Sequence, residues 1–290
     1  MLKQIGKGTA MKTGRLAAFL ALALALAGCG GNGSSPSAGA GASGGTAAPE
    51  SAAASPQAGR TELTVSAAAS LTDALNEIKA AYEAGHPNVK LTFNFGGSGT
   101  LQQQIEQGAP ADLFLSAADK NMQALVDKKL VEEDKTTELL QNELVVVVPA
   151  EGGSGVAGIA DLAGADVKKV AIGIPDSVPA GSYAREALTN AGLWDKLQAK
   201  TVQAKDVRQV LQYVETGNAD AGFVYRTDAL TSQKVKVAFA VDPSAYTKIE
   251  YPIGIVKASK HAKEAEDLYN YLQSPEALDV FVKYGFSVPK

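Results

Sequence analysis

From Arg60 onward the chain switches repeatedly between two hydrophobic periods. Leu63–Ser66 reads as a short apolar strand. After it, Leu71, Ala74, Leu75, Ile78 and Tyr82 recur at helical spacing. Val89, Leu91, Phe93 and Phe95 alternate with polar residues, as a half-buried strand does, and Leu101 and Ile105 mark the next helix. Leu113–Leu115, Leu144–Val148, Val170–Ile174 and Phe223–Tyr225 are further strand candidates. Ala184–Ala191 and Val207–Val214 carry apolar positions at i, i+3, i+4 and i+7. Val235–Val241 and Ile253–Val256 are late strands, followed by helices near Ala262–Leu272 and Pro275–Tyr284. Such alternation predicts an α/β protein with mostly parallel sheets flanked by helices.

The first sixty residues follow a different pattern. Lys3, Lys7, Lys12 and Arg15 form a positive leader without an acidic residue, and Leu16–Ala27 contains only Leu, Ala and Phe. A membrane-spanning helix needs roughly 20 apolar residues, so this shorter run reads as a secretory signal, residues 1–28. It ends Leu26-Ala27-Gly28-Cys29, which resembles the bacterial lipobox, and Cys29 is the single cysteine of the chain. Lipidation of Cys29 would anchor the protein at a membrane surface. A free thiol is the alternative. Residues 29–59 are almost entirely Gly, Ala, Ser, Pro and Thr, a composition that buries too little apolar surface to offset its ordering entropy and reads as a flexible tether.

Charge and composition exclude several classes. The formal net charge is −4, and it becomes more negative once the cationic leader is removed. No basic block tracks a phosphate backbone, so nucleic acid is not an expected partner. One cysteine cannot form an internal disulfide or a thiolate metal cluster. His86 lies in a Gly-His-Pro turn, and His261 opens a polar helical stretch; both read as surface residues. Neither H-E-x-x-H nor G-x-x-x-x-G-K-[ST] occurs.

What remains is a shared chemistry at the strand-to-helix turns, where open α/β sheets bind ligands. Helix starts present unpaired N–H groups and a partial positive charge, and so attract anions. Four turns qualify: Ala67-Ala68-Ala69-Ser70-Leu71-Thr72-Asp73, Gly96-Gly97-Ser98-Gly99-Thr100, Val178-Pro179-Ala180-Gly181-Ser182 and Lys205-Asp206-Val207. Ser70 followed by Asp73 is close to a capping box. Asp206 reads as a helix N-cap, with Val207 as the first helical residue. Each turn alone is compatible with ordinary capping; together they assemble donors.

The order and spacing of Ala67-Ala68-Ala69-Ser70-Leu71-Thr72, Ala109-Pro110-Ala111-Asp112-Leu113-Phe114, Pro179-Ala180-Gly181-Ser182-Tyr183-Ala184, Asp206-Val207-Arg208, Gly222-Phe223-Val224-Tyr225 and Tyr284-Gly285-Phe286 resemble the molybdate-binding periplasmic protein family. The likeness runs from about Thr61 to the C-terminus. It implies a two-lobed periplasmic-binding-protein fold with the ligand in the interlobe cleft. It also implies contacts from Ser70 and Ser98 on one lobe, from the backbone of Ala180 and Val207 on the other, and from the Tyr225 phenol. The loop around Ser98 is richer in glycine than the serine-rich version of some relatives. Implied partners are a membrane permease and its cytoplasmic ATPase. The expected state is a secreted, lipid-anchored monomer that captures molybdate or tungstate, with no cofactor and with molybdenum present only as the oxyanion.

Chain order suggests a first lobe of residues 60–148 plus 240–290 and a second of 149–239, with crossings near Val148–Gly152 and Val235–Val241 acting as a hinge. Molybdate is a tetrahedral dianion that needs only donors, and no Arg or Lys lies among the implied contacts. Two other functional classes stay open at this point. One is a binding protein for another oxyanion such as sulfate or phosphate. The other is a serine hydrolase, although Thr100 replaces the last glycine of G-x-S-x-G around Ser98. A purely structural lipoprotein would have no use for donor-rich turns.

Overall fold

The computed structural model describes residues 59–152 and 155–289. The signal, Cys29 and nearly all of the tether lie outside these residues. Two five-stranded sheets organise the rest. The first holds β1 (Thr61–Ala68), β2 (Val89–Gly96), β3 (Leu113–Leu115), β4 (Val131–Gln141) and β10 (Glu250–Val256), in the order β2-β1-β3-β10-β4. The second holds β5 (Leu144–Pro149), β6 (Val170–Gly173), β7 (Thr201–Ala204), β8 (Ala221–Tyr225) and β9 (Val235–Ala240), in the order β7-β6-β8-β5-β9. Helices α1 (Thr72–Gly85), α2 (Ser98–Glu106) and α3 (Asp119–Asp127) belong to the first lobe. Helices α4 (Pro179–Asn190), α5 (Trp194–Leu197), α6 (Val207–Glu215) and α7 (Arg226–Leu230) belong to the second. Helices α8 (Ala262–Leu272) and α9 (Pro275–Lys283) return to the first, where Lys283 and the Tyr284 hydroxyl both bond Glu77 of α1 at 2.7 and 2.8 Å.

Register explains why helix starts converge. β1 pairs with β2 in parallel from Thr61↔Val89 to Ala68↔Gly96, so the two strands end level and their helices begin side by side. In the second sheet β6 and β7 end level at Gly173↔Ala204, ahead of α4 and α6. Each apolar face then closes over its sheet: Ala74, Leu75, Ile78 and Tyr82 of α1 are buried, as are Val207, Val210, Leu211 and Val214 of α6. Full burial of one such aliphatic side chain contributes about 1.5–3 kcal/mol. Helix α4 approaches unusually closely: a Cβ on Gly181 would stand 2.0 Å from the Gly173 carbonyl oxygen. Only glycine lets the start of α4 sit directly against the end of β6.

Three expectations need correction. The sheets are less parallel than the βα alternation suggested: β10 runs antiparallel to both β3 and β4, and β5 runs antiparallel to both β8 and β9. The first crossing is earlier than Val148–Gly152. Leu144–Val148 is buried between β8 and β9 of the second sheet, so the chain changes lobe at Asn142-Glu143. An all-apolar run marks a buried strand but does not identify its partner. The return to the first lobe spans residues 241–249, after β9 rather than within it. Both crossings run side by side, with Asn142 N donating to Ile249 O (3.3 Å) and Val241 N to Leu144 O (3.0 Å).

Candidate functional site

The four helix starts meet where the lobes face each other. A small cavity there is lined by Ala68, Ala69 and Ser70, by Gly96, Gly97 and Ser98, by Ala117, by Val178 and Pro179, and by Val207 and Tyr225. Its volume is about 10 Å³, the least that admits a single water molecule. Wider hollows exist, one near α6 at about 570 Å³ and another between α4 and the return crossing at about 550 Å³. Neither gathers the helix starts.

Ser70, Ser98, Val207 and Tyr225 all line the cavity. Ala180, buried and next to Pro179 in the first turn of α4, does not. Ser98 is the first residue of α2, and its Oγ accepts the Ala117 N–H at 3.0 Å. Ser70 lies in a single 3-10 turn that precedes α1, with its Oγ 2.9 Å from the Tyr251 hydroxyl. The capping box expected from Ser70 and Asp73 does not form. The N-cap position of α1 is Leu71, because the Ser70 hydroxyl is engaged by Tyr251 and the Asp73 carboxylate by Arg208. Asp206 does cap α6, its Oδ1 accepting Gln209 N at 2.8 Å, which leaves the Val207 N–H at the helix mouth. Among the described residues, no acceptor lies on the N–H of Ser98, Ala180 or Val207.

The Tyr225 hydroxyl is buried and without a hydrogen-bond partner. Burial holds its pKa well above the ordinary phenol value, so it stays an O–H donor. Its ring packs edge-on against Tyr251, with centroids 5.8 Å apart. No cation and no carboxylate lines the cavity. Nearby charges are tied to one another. Arg208, next to Val207, pairs with Asp73 across the lobes and lies 2.8 Å from the buried Asp228 carboxylate. Burial pushes the pKa of Asp228 up to about 6, partly opposed by the Arg208 charge.

Contacts between the lobes surround the cavity. Gly99 N donates to Ser177 O at 3.0 Å, the Tyr183 hydroxyl to Ala117 O at 3.2 Å, and Lys120 Nζ to Ser182 Oγ at 2.8 Å. A Cβ on Gly97 or on Gly99 would stand 2.9 Å from backbone atoms of Ser177. The glycine-rich loop around Ser98 thus serves close approach of the second lobe. Tyr251, Asn142 and Ala117 are the participants that the sequence pattern did not disclose. Neither His86, exposed and stacked on Tyr82, nor His261, half-buried at the start of α8, reaches the cavity. Ser98 therefore has no histidine or carboxylate base beside it. Among the described residues, no group of His, Cys, Asp and Glu could hold a bare metal ion, and no helix is long and apolar enough to cross a membrane.

A family model for bacterial extracellular solute-binding proteins matches residues 63–287. The chain belongs to this solute-binding family. A putative ABC transporter substrate-binding lipoprotein of Bacillus subtilis, YvgL, is 53% identical over 78% of this solute-binding protein and 86% of its own length. The molybdate-binding protein ModA of Haemophilus influenzae is 40% identical over 78% of the chain and 90% of its own length. Among solved structures, the periplasmic molybdate-binding protein of Azotobacter vinelandii is similar with a TM-score of 0.71 at 25% identity, covering 79% of this chain and all of its own. The two sheets with their flanking helices are thus the two-lobed periplasmic-binding-protein fold.

Proposed function

We propose that the protein captures molybdate, and tungstate with it, outside the cytoplasm and delivers it to the permease and ATPase of an ABC importer. The observation that carries this reading is the make-up of the cavity: it is lined by the hydroxyl residues Ser70, Ser98 and Tyr225 and by helix starts from both lobes, with no carboxylate and no cationic side chain among its lining residues. A buried unpaired charge would cost tens of kcal/mol by a Born estimate. Hydrogen bonds to a charged group contribute about 1.5–3 kcal/mol each, and each helix terminus adds about 0.3–1 kcal/mol. Several of both offset the lost hydration of a dianion.

In this reading Ser70 and Ser98 donate from the first lobe, Val207 and Ala180 donate backbone N–H groups from the second, and Tyr225 donates its phenol. The anion bridges the lobes and holds them closed about the paired crossings at Asn142-Glu143 and 241–249. The role is binding rather than catalysis, since Ser98 lacks a base. No cofactor takes part, and molybdenum enters only as the oxyanion. The sequence of residues 1–59 supports export, lipidation at Cys29 and a tethered monomer at the membrane surface. The names of the relatives support molybdate as cargo and an ABC importer as destination.

Calorimetric titration with molybdate, tungstate, sulfate and phosphate tests the cargo. Submicromolar binding of the first two, stronger than about −8 kcal/mol, with weak response to the others is the expected result. Tight sulfate or phosphate binding would keep the anion site and overturn the cargo.

A further inference from the structure

We propose that Asn142 and Tyr251 are positioning residues that fix the Ser70 hydroxyl as a donor toward the cavity, so that the site selects oxyanions carrying no proton. The inference rests on the oxyanion reading above and deepens it, because it names what rejects a protonated competitor of equal charge.

Asn142 Oδ1 accepts the Glu143 N–H at 2.9 Å, which fixes the amide orientation and turns Nδ2 the other way. The two Nδ2 hydrogens go to Thr227 Oγ1 at 2.9 Å and to the Tyr251 oxygen at 3.3 Å. Tyr251 and Ser70 are 2.9 Å apart, and on that distance alone either could donate. The buried Tyr251 hydrogen needs an acceptor. An amide NH2 can only donate, so of the two groups bonded to the Tyr251 hydroxyl, Asn142 Nδ2 and Ser70 Oγ, the serine oxygen is the one that can receive that hydrogen. Ser70 Oγ then receives, and its hydrogen is left for the cavity that it lines.

Tyr251 is fully buried, and burial keeps its phenol protonated, so the relay cannot lose its middle hydrogen near neutral pH. Ser98 reaches the same polarity by a shorter route: the Ala117 N–H, a backbone donor that cannot be reversed, fills one of its two lone pairs at 3.0 Å. Each serine, with one lone pair filled, turns its hydrogen to the cavity. Hydrogenphosphate, whose proton must find an acceptor, meets hydroxyl hydrogens at both positions. Leaving that group unpaired in a buried site weakens binding of the protonated anion. Asn142 also sits on the first crossing and bonds one group from each lobe, Thr227 of α7 and Tyr251 of β10.

The test compares affinities for molybdate and hydrogenphosphate in mildly alkaline buffer, where both are dianions and only one carries a proton. The variants are Asn142→Asp and Tyr251→Phe, each also placed on a Ser70→Ala background. In Asn142→Asp the carboxylate accepts from Tyr251, the relay reverses, and Ser70 turns a lone pair to the cavity. The molybdate-to-hydrogenphosphate affinity ratio should narrow by about tenfold or more, in line with one charged hydrogen bond exchanged for a mismatch. The added charge acts alike on both dianions and drops out of the ratio. Tyr251→Phe frees Ser70 to rotate and should narrow the ratio less; it also serves if Asn142→Asp does not fold. On the Ser70→Ala background neither substitution should alter the ratio, since the relay has lost its terminus. Equal weakening of both anions, or a ratio change that persists without the Ser70 hydroxyl, would overturn the proposal and leave Asn142 a structural residue. Should the wild-type protein bind sulfate and not molybdate, the cargo reading fails while the sulfate-to-hydrogenphosphate ratio still decides the relay. Binding of no oxyanion would remove both.

Discussion

On the first-lobe wall of the cavity the donors are side-chain hydroxyls, those of Ser70 and Ser98, and each is held by a neighbour: Tyr251 for one and the Ala117 N–H for the other. On the second-lobe wall they are the helix-start N–H of Val207 and a Tyr225 hydroxyl without a hydrogen-bond partner. The first wall is thus pre-oriented by hydrogen bonds and the second by backbone. Fixed N–H groups need no orientation, because helix geometry aims them. Rotatable hydroxyls do. The asymmetry is reflected in the supporting chemistry: close packing of Gly181 on Gly173 places α4, whereas a chain of polar side chains places the Ser70 hydrogen.

The largest effect should come from keeping the walls apart. In Gly99→Val the new side chain would enter Ser177 backbone, whose Cα already lies 2.9 Å from a Cβ at this position. The fold should survive, because the clash lies between lobes. Affinity should drop by the second-wall contribution, about 3–6 kcal/mol for two charged hydrogen bonds, as read by calorimetry beside an unchanged far-ultraviolet spectrum.

Arg208 joins the walls from outside the cavity, and its two carboxylate partners should separate cleanly. Arg208→Ala leaves buried Asp228 unpaired and should lower stability by about 3–5 kcal/mol at neutral pH. Asp73→Ala removes only the more exposed arm and should lower it by less than about 1 kcal/mol. The pH dependence has a definite sign. The Asp228 carboxyl titrates near 6 in the folded protein against 3.8 unfolded, so the folded state holds the proton more tightly, and this group's contribution to stability falls as pH rises from about 4 to about 6. The Arg208→Ala deficit should shrink in acid, where Asp228 is protonated in both states. Denaturant melts across that range would show it.

A third comparison sets backbone against hydroxyl donor. Val207→Pro deletes the N–H at a first helical position, where proline is tolerated, after an Asp206 that is already extended at φ −158° and ψ 170°. Its affinity loss should match that of Ser98→Ala, about 1.5–3 kcal/mol each. A much smaller loss for Val207→Pro would shift the anion toward the first wall. Tyr225→Phe should separate affinity from stability. Binding should weaken by a similar amount, while the ligand-free protein should be as stable as wild type or up to about 1 kcal/mol more so, because a buried hydroxyl without a partner is removed.

Much of this arrangement was legible in the sequence, and what was not has identifiable causes. Helix starts announce themselves locally, by Asp206 ahead of Val207 or glycines ahead of Ser98, whereas the grouping of Ser70, Ser98, Ala180, Val207 and Tyr225 came from the family resemblance. All of these but Ala180 line the cavity. Strand β4 escaped notice because Val131–Gln141 is mostly polar, with only Val131, Leu139 and Leu140 buried, and pairs with β10 through register shifts, so it has no alternating face. Strand β7 is four residues long with only Ala204 buried, too short for a period. Leu144–Val148 was recognisable as a strand but not as a member of the second sheet, since pairing is a long-range property. The same limit hid Tyr251, whose hydroxyl meets Ser70 across 181 positions of chain. Nothing near Asn142 hints that a crossing residue orients a distant serine.

The central claim is that one oxyanion sits between these two walls, and the most direct test is to locate the metal atom. Anomalous scattering from a crystal grown with molybdate should give a single strong peak in the cavity between Ser70, Ser98, Val207 and Tyr225, with all surrounding contacts made by hydroxyl or N–H donors. A peak elsewhere, such as the wider hollow between α4 and the return crossing, or a cavity peak coordinated by a carboxylate or lysine, would contradict the account.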